Sequence, residues 1–421
     1  MASHTTSHSE APLDLSKWRS VPTKLAIAGA VMAAIGVIAI TPDGGKAVPL
    51  IKQASFSYLT AYIFCLSFML GGLFLTILHH LFDASWSVPT RRVTEALASL
   101  AGPLAIGFLP ILGAALASDS TGLYQWMTHA GHDSHAVHAK SPLMSKAGFV
   151  IVSVLALVTW WLLANRLRYW SLKQDETGSA ECTKKMRAWA CGGIWLFAIS
   201  VTLAIIMWVK ALHVEFFSTM YGVQFFAGLT WATLATTYLV TLVLKLQGPL
   251  QGFAKEKTFY FLGSLLFAFT VFWAYVTFSE YFIIWNANIP EETFYFVWRE
   301  QGSWFGLSVL LIFGHFFIPF LALLRIDLKL KVWWMAPIIA WAWLMHYLDV
   351  TFHVMPVLRP FGFMPQLLDL GLLLLGVGVL SQLFIKSLNA HPVIPQKDPR
   401  IAEALDMYVP PASSKLAGAK H

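Results

Sequence analysis

The chain has 421 residues, of which 57% are apolar and only 12% charged, and its mean hydropathy is strongly positive. A soluble core cannot absorb that much apolar surface, so the composition excludes an ordinary soluble domain and makes the bilayer the solvent. The formal net charge of +7 is therefore read by membrane side and not as a nucleic-acid footprint.

Backbone polar groups in hydrocarbon must be satisfied internally, and the alternating segments of a barrel do not occur, so the long apolar runs are expected to be helices. Runs able to cross roughly 30 Å of hydrocarbon fall at 24–40, 57–82, 97–117, 147–167, 189–212, 221–246, 258–285, 303–324, 332–350 and 367–388. The expected fold class is all-α integral membrane with about ten transmembrane helices. A short segment, 1–23, precedes the membrane domain at 24–389, and a Pro-rich tail, 390–421, follows as an extended strap. The first run lacks an A-x-A-like cleavage site and is followed by further spans, which argues against a removable signal peptide.

An even number of spans puts both termini on one side. On that side lie 22 of the 29 Lys and Arg residues, against 7 on the other, so the positive-inside rule makes both termini cytoplasmic. The second and sixth spans run in the same direction. Spans 2 to 5 and 6 to 9 are thus expected to form two four-helix bundles of like orientation, flanked by spans 1 and 10.

Ionisable groups inside a bilayer are costly, and their default reading is functional. In chain order, the first group lies at the inner end of span 2: His79, His80 and Asp83, then Trp86, Arg91, Arg92 and Glu95. His80, Asp83 and Glu95 are proton-path candidates. Arg91, Arg92 and Glu95, at helical spacing, equally read as a salt-bridged elbow. His79 and His80 point about 100° apart, so one of them at most should face the bundle. The outer tract His129, His132, Asp133, His135 and His138 has metal-like spacing but reads as a solvated loop, and no metal is assigned to it. Span 5 ends at Trp208, Lys210, His213 and Glu215, and Ser218 is the expected N-cap of span 6.

The strongest group is in the second half. Glu280 lies on span 7, and His315 on span 8, about 18 Å in from Ser303 at ~1.5 Å per residue, near the midplane. His346, Asp349 and His353 on span 9 are spaced i, i+3 and i+7 on one face, and Asp369 opens span 10. A Glu, Asp and His series from the outer surface to the midplane suits a proton path or a quinol-deprotonating site, because quinol oxidation releases two protons. Pairing of such residues merely to bind helices together is the competing reading. The histidines offer no pair at matched depth for a haem, and Cys65, Cys182 and Cys191 form no C-x-x-C pattern for a cluster or covalent haem.

Four patterns together resemble the NrfD and polysulfide-reductase membrane-subunit superfamily. They are Phe216-Phe217-Ser218-Thr219-Met220-Tyr221-Gly222-Val223, Gly72…Trp86…Arg91-Arg92-x-x-Glu95, Asn286-x-Asn288-x-Pro290-Glu291-Glu292 and Pro395-x-Lys397-Asp398-Pro399. More narrowly, the chain resembles the second, shorter NrfD-like subunit of bacterial alternative complex III, a quinol:cytochrome c oxidoreductase. The resemblance implies a bacterial inner-membrane subunit with no haem or cluster of its own. It also implies as partners a larger NrfD-like membrane subunit, an iron-sulfur protein, haem-c subunits, small membrane subunits and a terminal oxidase. In such complexes the larger sister is the better candidate for the quinol pocket, leaving this chain to assembly and proton translocation, with quinone a further candidate ligand. Met207 stands before Trp208 where the family commonly has Asp, which weakens a quinol site in the first bundle. Two rival readings are a proton-coupled secondary transporter and a di-haem quinol-oxidising anchor. Gly102, Pro103 and Pro110 break span 3 with no matching break in span 7, which counts against the transporter.

Overall fold

The computed structural model describes residues 16–39, 49–128 and 135–405, and among them every regular element is helical. The long helical elements are α1 (Ser16–Ile38), α2 (Leu50–Leu81), a segmented α3 (Ser85–Leu116), α4 (Lys146–Thr177), α5 (Ala180–Trp208), α6 (Tyr221–Leu246), α7 (Glu256–Ala287), α8 (Gly302–Leu324), α9 (Val332–Val354) and α10 (Leu367–Asn389). Among the described residues nine of these are long and apolar enough to cross a membrane, so this is a multi-pass membrane protein. The exception is α9, which is as long as α10 but is diluted by four tryptophans, His346 and Asp349. Those same residues make it the most informative helix.

The layering follows from who is buried. Over their most apolar windows α2 is 89% and α6 78% enclosed, whereas α1 and α10 are 17% and 22% enclosed. A helix apolar all round belongs at the centre of the protein or faces lipid. Here α2 and α6 form the centre and pack on each other; α3, α5, α9 and α10 also lie against α2, and α7 and α9 against α6. α1 packs on α10 through glycines. A Cβ on Gly29 would stand 2.3 Å from Leu375 N, and one on Gly371 would stand 2.4 Å from Ala33 N. No side chain fits there, and the close approach replaces the hydrophobic drive that lipid removes.

Local chemistry explains the breaks. α3 is a 3-10 turn (Ser85–Thr90) followed by three short helices, with joints at Ser99-Leu100 and Phe108 beside the Gly-Pro and Leu-Pro pairs. α4 ends on Gly178 at φ 65, and Ser179 caps α5. α8 holds a π-helical turn at Ile312–Phe317, and Ile318 N–H bonds to Phe313 O. Pro319 has no N–H for the His315 carbonyl four residues back, and its ring would press on that carbonyl. The π turn relieves both problems and re-aims His315.

Two faces can be named. Segments 82–90, 171–183 and 390–405 meet at the proximal face, where Arg400 pairs with Asp83 and Gln396 N–H bonds to Asp175. Segments 209–220, 290–299 and 355–366 lie at the opposite, distal face. His129, His132 and Asp133, residues 1–15 and the tail beyond 405 lie outside the described residues; of His135 only the backbone is described, and His138 is exposed. The three cysteines are free, Cys65 and Cys182 buried and Cys191 exposed.

Candidate functional site

The polar cluster of the distal half is assembled by four helices. His346 and Asp349 on α9 meet His315 on α8, and the ligating atoms of the three lie within 4.8 Å of one another, all buried. The His315 ring is sandwiched between Trp231 of α6 (centroids 4.0 Å apart) and Trp273 of α7 (3.8 Å). Each tryptophan is itself fixed: Trp231 N–H donates to Thr270 Oγ1 at 2.8 Å, and Trp273 N–H to Asp349 Oδ2 at 3.2 Å. Gly228 of α6 opens the space, since a Cβ there would lie 3.4 Å from both Asp349 Oδ2 and His346 Nδ1.

Among the described residues, both ring nitrogens of His315 and of His346 lack a hydrogen-bond partner, as does Nε2 of His353. A buried polar atom without a partner costs about 1–3 kcal/mol, so a chain keeps several together only where something else uses them. The three residues are also the donor set of a divalent metal site. Metal-bound histidines, however, almost always give their second nitrogen to a carboxylate or carbonyl, and neither histidine has one. The arrangement therefore fits protons and polar solutes better than a resident ion.

Toward the distal face the cluster continues. His353 Nε2 stands 3.7 Å from Asp349 Oδ1, while its Nδ1 faces Tyr295 OH at 2.8 Å and Tyr221 OH at 3.1 Å. Glu280 of α7, buried and with Oε1 unpartnered, lies within electrostatic reach of both tyrosines and of Arg299, and Ser218 hydrogen-bonds it. Ser218 is thus not the cap of α6; Met220 holds that position without a side-chain bond. Arg299 is 1% exposed and, among the described residues, has no carboxylate ion pair. Its guanidinium instead donates to the carbonyls of Tyr295, Phe352 and His353 and lies 3.5 Å from the centre of the Tyr295 ring. Burial lowers its pKa from the usual arginine range and lifts Tyr295 to about 12. Burial, and then Arg299, push His213 well below its ordinary value. Arg299 is thus a buried cation set beside the tyrosine pair, His353 and His213.

The remaining candidates are placed elsewhere. Asp369 is the partner of Arg359 (2.8 and 3.2 Å), accepts from Ser57 Oγ (2.5 Å) and Gln53 Nε2 (3.0 Å), and closes the capping box of α10 with Gln366. It ties α10 to α2 and lies apart from the cluster. At the proximal face Glu95 holds Arg91 (2.9 Å) and Arg92 (2.7 Å), Arg92 reaches Asp175, and Asp83 is gripped by Arg187 and Arg400. Asp398 comes back from the strap to bind Arg91 at 2.5 Å and Arg400 at 2.9 Å. Burial opposes its charge, but Arg91 and Arg400 outweigh burial and hold its carboxyl down at about 2. His79 and His80 are both buried, with rings 4.9 Å apart and edge to face. At most one is expected to face the bundle; both are buried because α2 is enclosed on nearly every side.

Sequence reasoning missed Tyr221, Tyr295, Arg299, Trp231 and Trp273. Arg299 had a signal, as one of two arginines on the side poor in positive charge, and Tyr221 fell within the 216–223 pattern; Tyr295 and the tryptophans had none. At the corresponding end of α5, Met207 and Trp208 are fully buried among Tyr62, Phe108 and Trp160, an apolar neighbourhood. No family model matches the chain, and a search of curated proteins finds no match.

Proposed function

We propose that this chain is a non-haem membrane subunit of a respiratory quinol:cytochrome c oxidoreductase of the NrfD-like kind, and that its distal cluster is a proton relay. The observation that carries the relay is the convergence of Asp349, His346 and His315 from two helices with both ring nitrogens of each of these two histidines unpartnered among the described residues, joined through His353 and the tyrosine pair toward Glu280. An imidazole can take a proton on one nitrogen and release one from the other. Asp349 can carry a proton as the neutral acid, and neutral carriage is what a low-dielectric span favours. Arg299 at the mouth repels a second positive charge and so disfavours two protons in the relay at once.

In this reading α2–α5 and α6–α9 are two four-helix bundles flanked by α1 and α10, ten spans in all, and the proximal face with both termini is cytoplasmic. The meeting of Arg91-Arg92-x-x-Glu95 with Asp398 supports the NrfD-like resemblance, because it gives two distant patterns one physical purpose. The larger sister, the iron-sulfur protein and the haem-c subunits carry the redox centres, and this chain couples assembly and proton movement to them.

The test is the Asp349→Asn variant in the intact complex. Quinol oxidation with proton release reduced or slowed is expected; an assembled variant with unchanged proton release and turnover removes the relay. A chain that isolates alone and moves a solute in liposomes would replace the whole reading with a transporter.

A further inference from the structure

A cavity of about 170 Å³ lies in the proximal half, between α2, the 85–94 elbow, α6 and α7. Its walls are mostly apolar, with Leu75 and Leu78 on one side and Leu262 and Leu265 on the other. Two buried polar groups on the wall have, among the described residues, no hydrogen-bond partner for one atom, Nε2 of His79 and Oγ1 of Thr237. His79 is 2% exposed and Thr237 fully buried. The other polar wall groups are satisfied: Thr94 contacts Thr76 at 3.1 Å, Arg91 holds Glu95 and Asp398, and Ser87 faces His79 Nδ1 at 2.5 Å.

We infer that this cavity binds the ring of a lipid-soluble quinone or quinol. Its volume suits one six-membered ring with small substituents, since an apolar cavity of about 150 Å³ holds a benzene ring. An acyl chain would fill the volume and leave both polar atoms unpaired, at about 1–3 kcal/mol each. A quinoid ring carries a polar oxygen on each of two opposite edges. An imidazole nitrogen and a hydroxyl each donate or accept according to tautomer and rotamer, so the same two groups serve the carbonyl form and the hydroxyl form. His79 Nε2 also stands 4.0 Å from Asp398 Oδ2, which favours the Nε2–H tautomer and donation to a carbonyl. Phe82, 69% exposed, with the half-buried Leu78, Trp86 and Leu265, borders the cavity, an apolar exit for an isoprenoid tail. The choice of a quinoid ring rests on the reading of the chain as part of a quinol-oxidising complex. The site itself is remote from the distal relay and involves binding alone.

The experiment uses the intact complex in mild detergent and a photoreactive azidobenzoquinone with a decyl tail, with labelled peptides mapped by mass spectrometry. Labelling is expected on the stretches 75–94 and 237–265 of this chain, competed by decyl-benzoquinone and not by decanol. Leu262→Trp, which fills the cavity, should reduce labelling at these peptides at least ~10-fold, equivalent to about 1.4 kcal/mol. The nearly isosteric Thr237→Val, which keeps the fold if the tryptophan variant does not assemble, should reduce it about 3- to 10-fold. Label that decanol competes equally well, that avoids these peptides, or that Thr237→Val leaves unchanged overturns the inference. Proton release is a separate readout, so loss of the relay reading and loss of the quinone site are told apart.

Discussion

The proximal knot and the distal cluster contain the same kinds of residue and are built on opposite principles. In the knot each carboxylate meets arginine: Glu95 takes two, Asp398 takes two and Asp83 takes two. In the cluster Asp349 has one indole donor and histidines with empty ring positions. Saturated buried charges hold elements together, and their removal leaves a partner stranded. Buried polar atoms left without partners cost stability, and that cost is the ground on which the cluster is proposed as a proton relay. The comparison separates Asp83, Glu95 and Asp369, each held by arginine, from Glu280, His315, His346, Asp349 and His353; His80, buried with Nε2 unpartnered among the described residues, follows neither pattern.

Breaking the knot should give the largest effect. Arg91→Ala takes one of two arginines from each of Glu95 and Asp398 and should cost about 3–5 kcal/mol, seen as loss of folded protein from the membrane fraction. The double substitution Arg91→Met with Asp398→Leu should recover part of the yield, and equal failure of single and double variants would contradict a pairing role. Next comes the cluster: Asp349→Asn should assemble normally and slow coupled proton release roughly 10²-fold, measured with a pH-sensitive dye in vesicles. A variant that instead fails to assemble would move Asp349 into the knot's class.

Gly371→Leu drives a side chain into the α1 backbone and should cost about 1–3 kcal/mol, read as a lower melting temperature and easier proteolysis near α1. The smallest effect concerns pH. His213 is held neutral in the fold by burial and by Arg299, so its folded pKa lies below the unfolded value of about 6.5. Its contribution is present above about pH 6.5 and is lost as pH falls from there toward the folded value, because the unfolded chain binds the extra proton. His213→Gln should flatten the loss of thermal stability between pH 7 and pH 5; an unchanged slope would show that other groups set it.

Much of the cluster was legible because a helix repeats every 3.6 residues: His346, Asp349 and His353 at i, i+3 and i+7 had to share a face. Their meeting with His315 was not legible, since it depends on the π turn before Pro319 and on which face α8 turns to α9. The two tryptophans that clamp His315 were indistinguishable from the other apolar aromatics of the chain. The elbow Arg91, Arg92 and Glu95 was readable at helical spacing, but nothing local announces that Asp398, some three hundred residues on, completes it.

By itself, then, the sequence determined that this chain lives in a membrane as helices, because hydrocarbon leaves backbone groups no other way to be satisfied. It also determined which helices carry titratable groups and, by spacing, on which face. Only the tertiary structure decided which of those groups find partners. Pairing depends on rotation and depth between helices far apart in the chain, set by the fit of glycines, aromatics and π turns at their contacts and not by any local pattern.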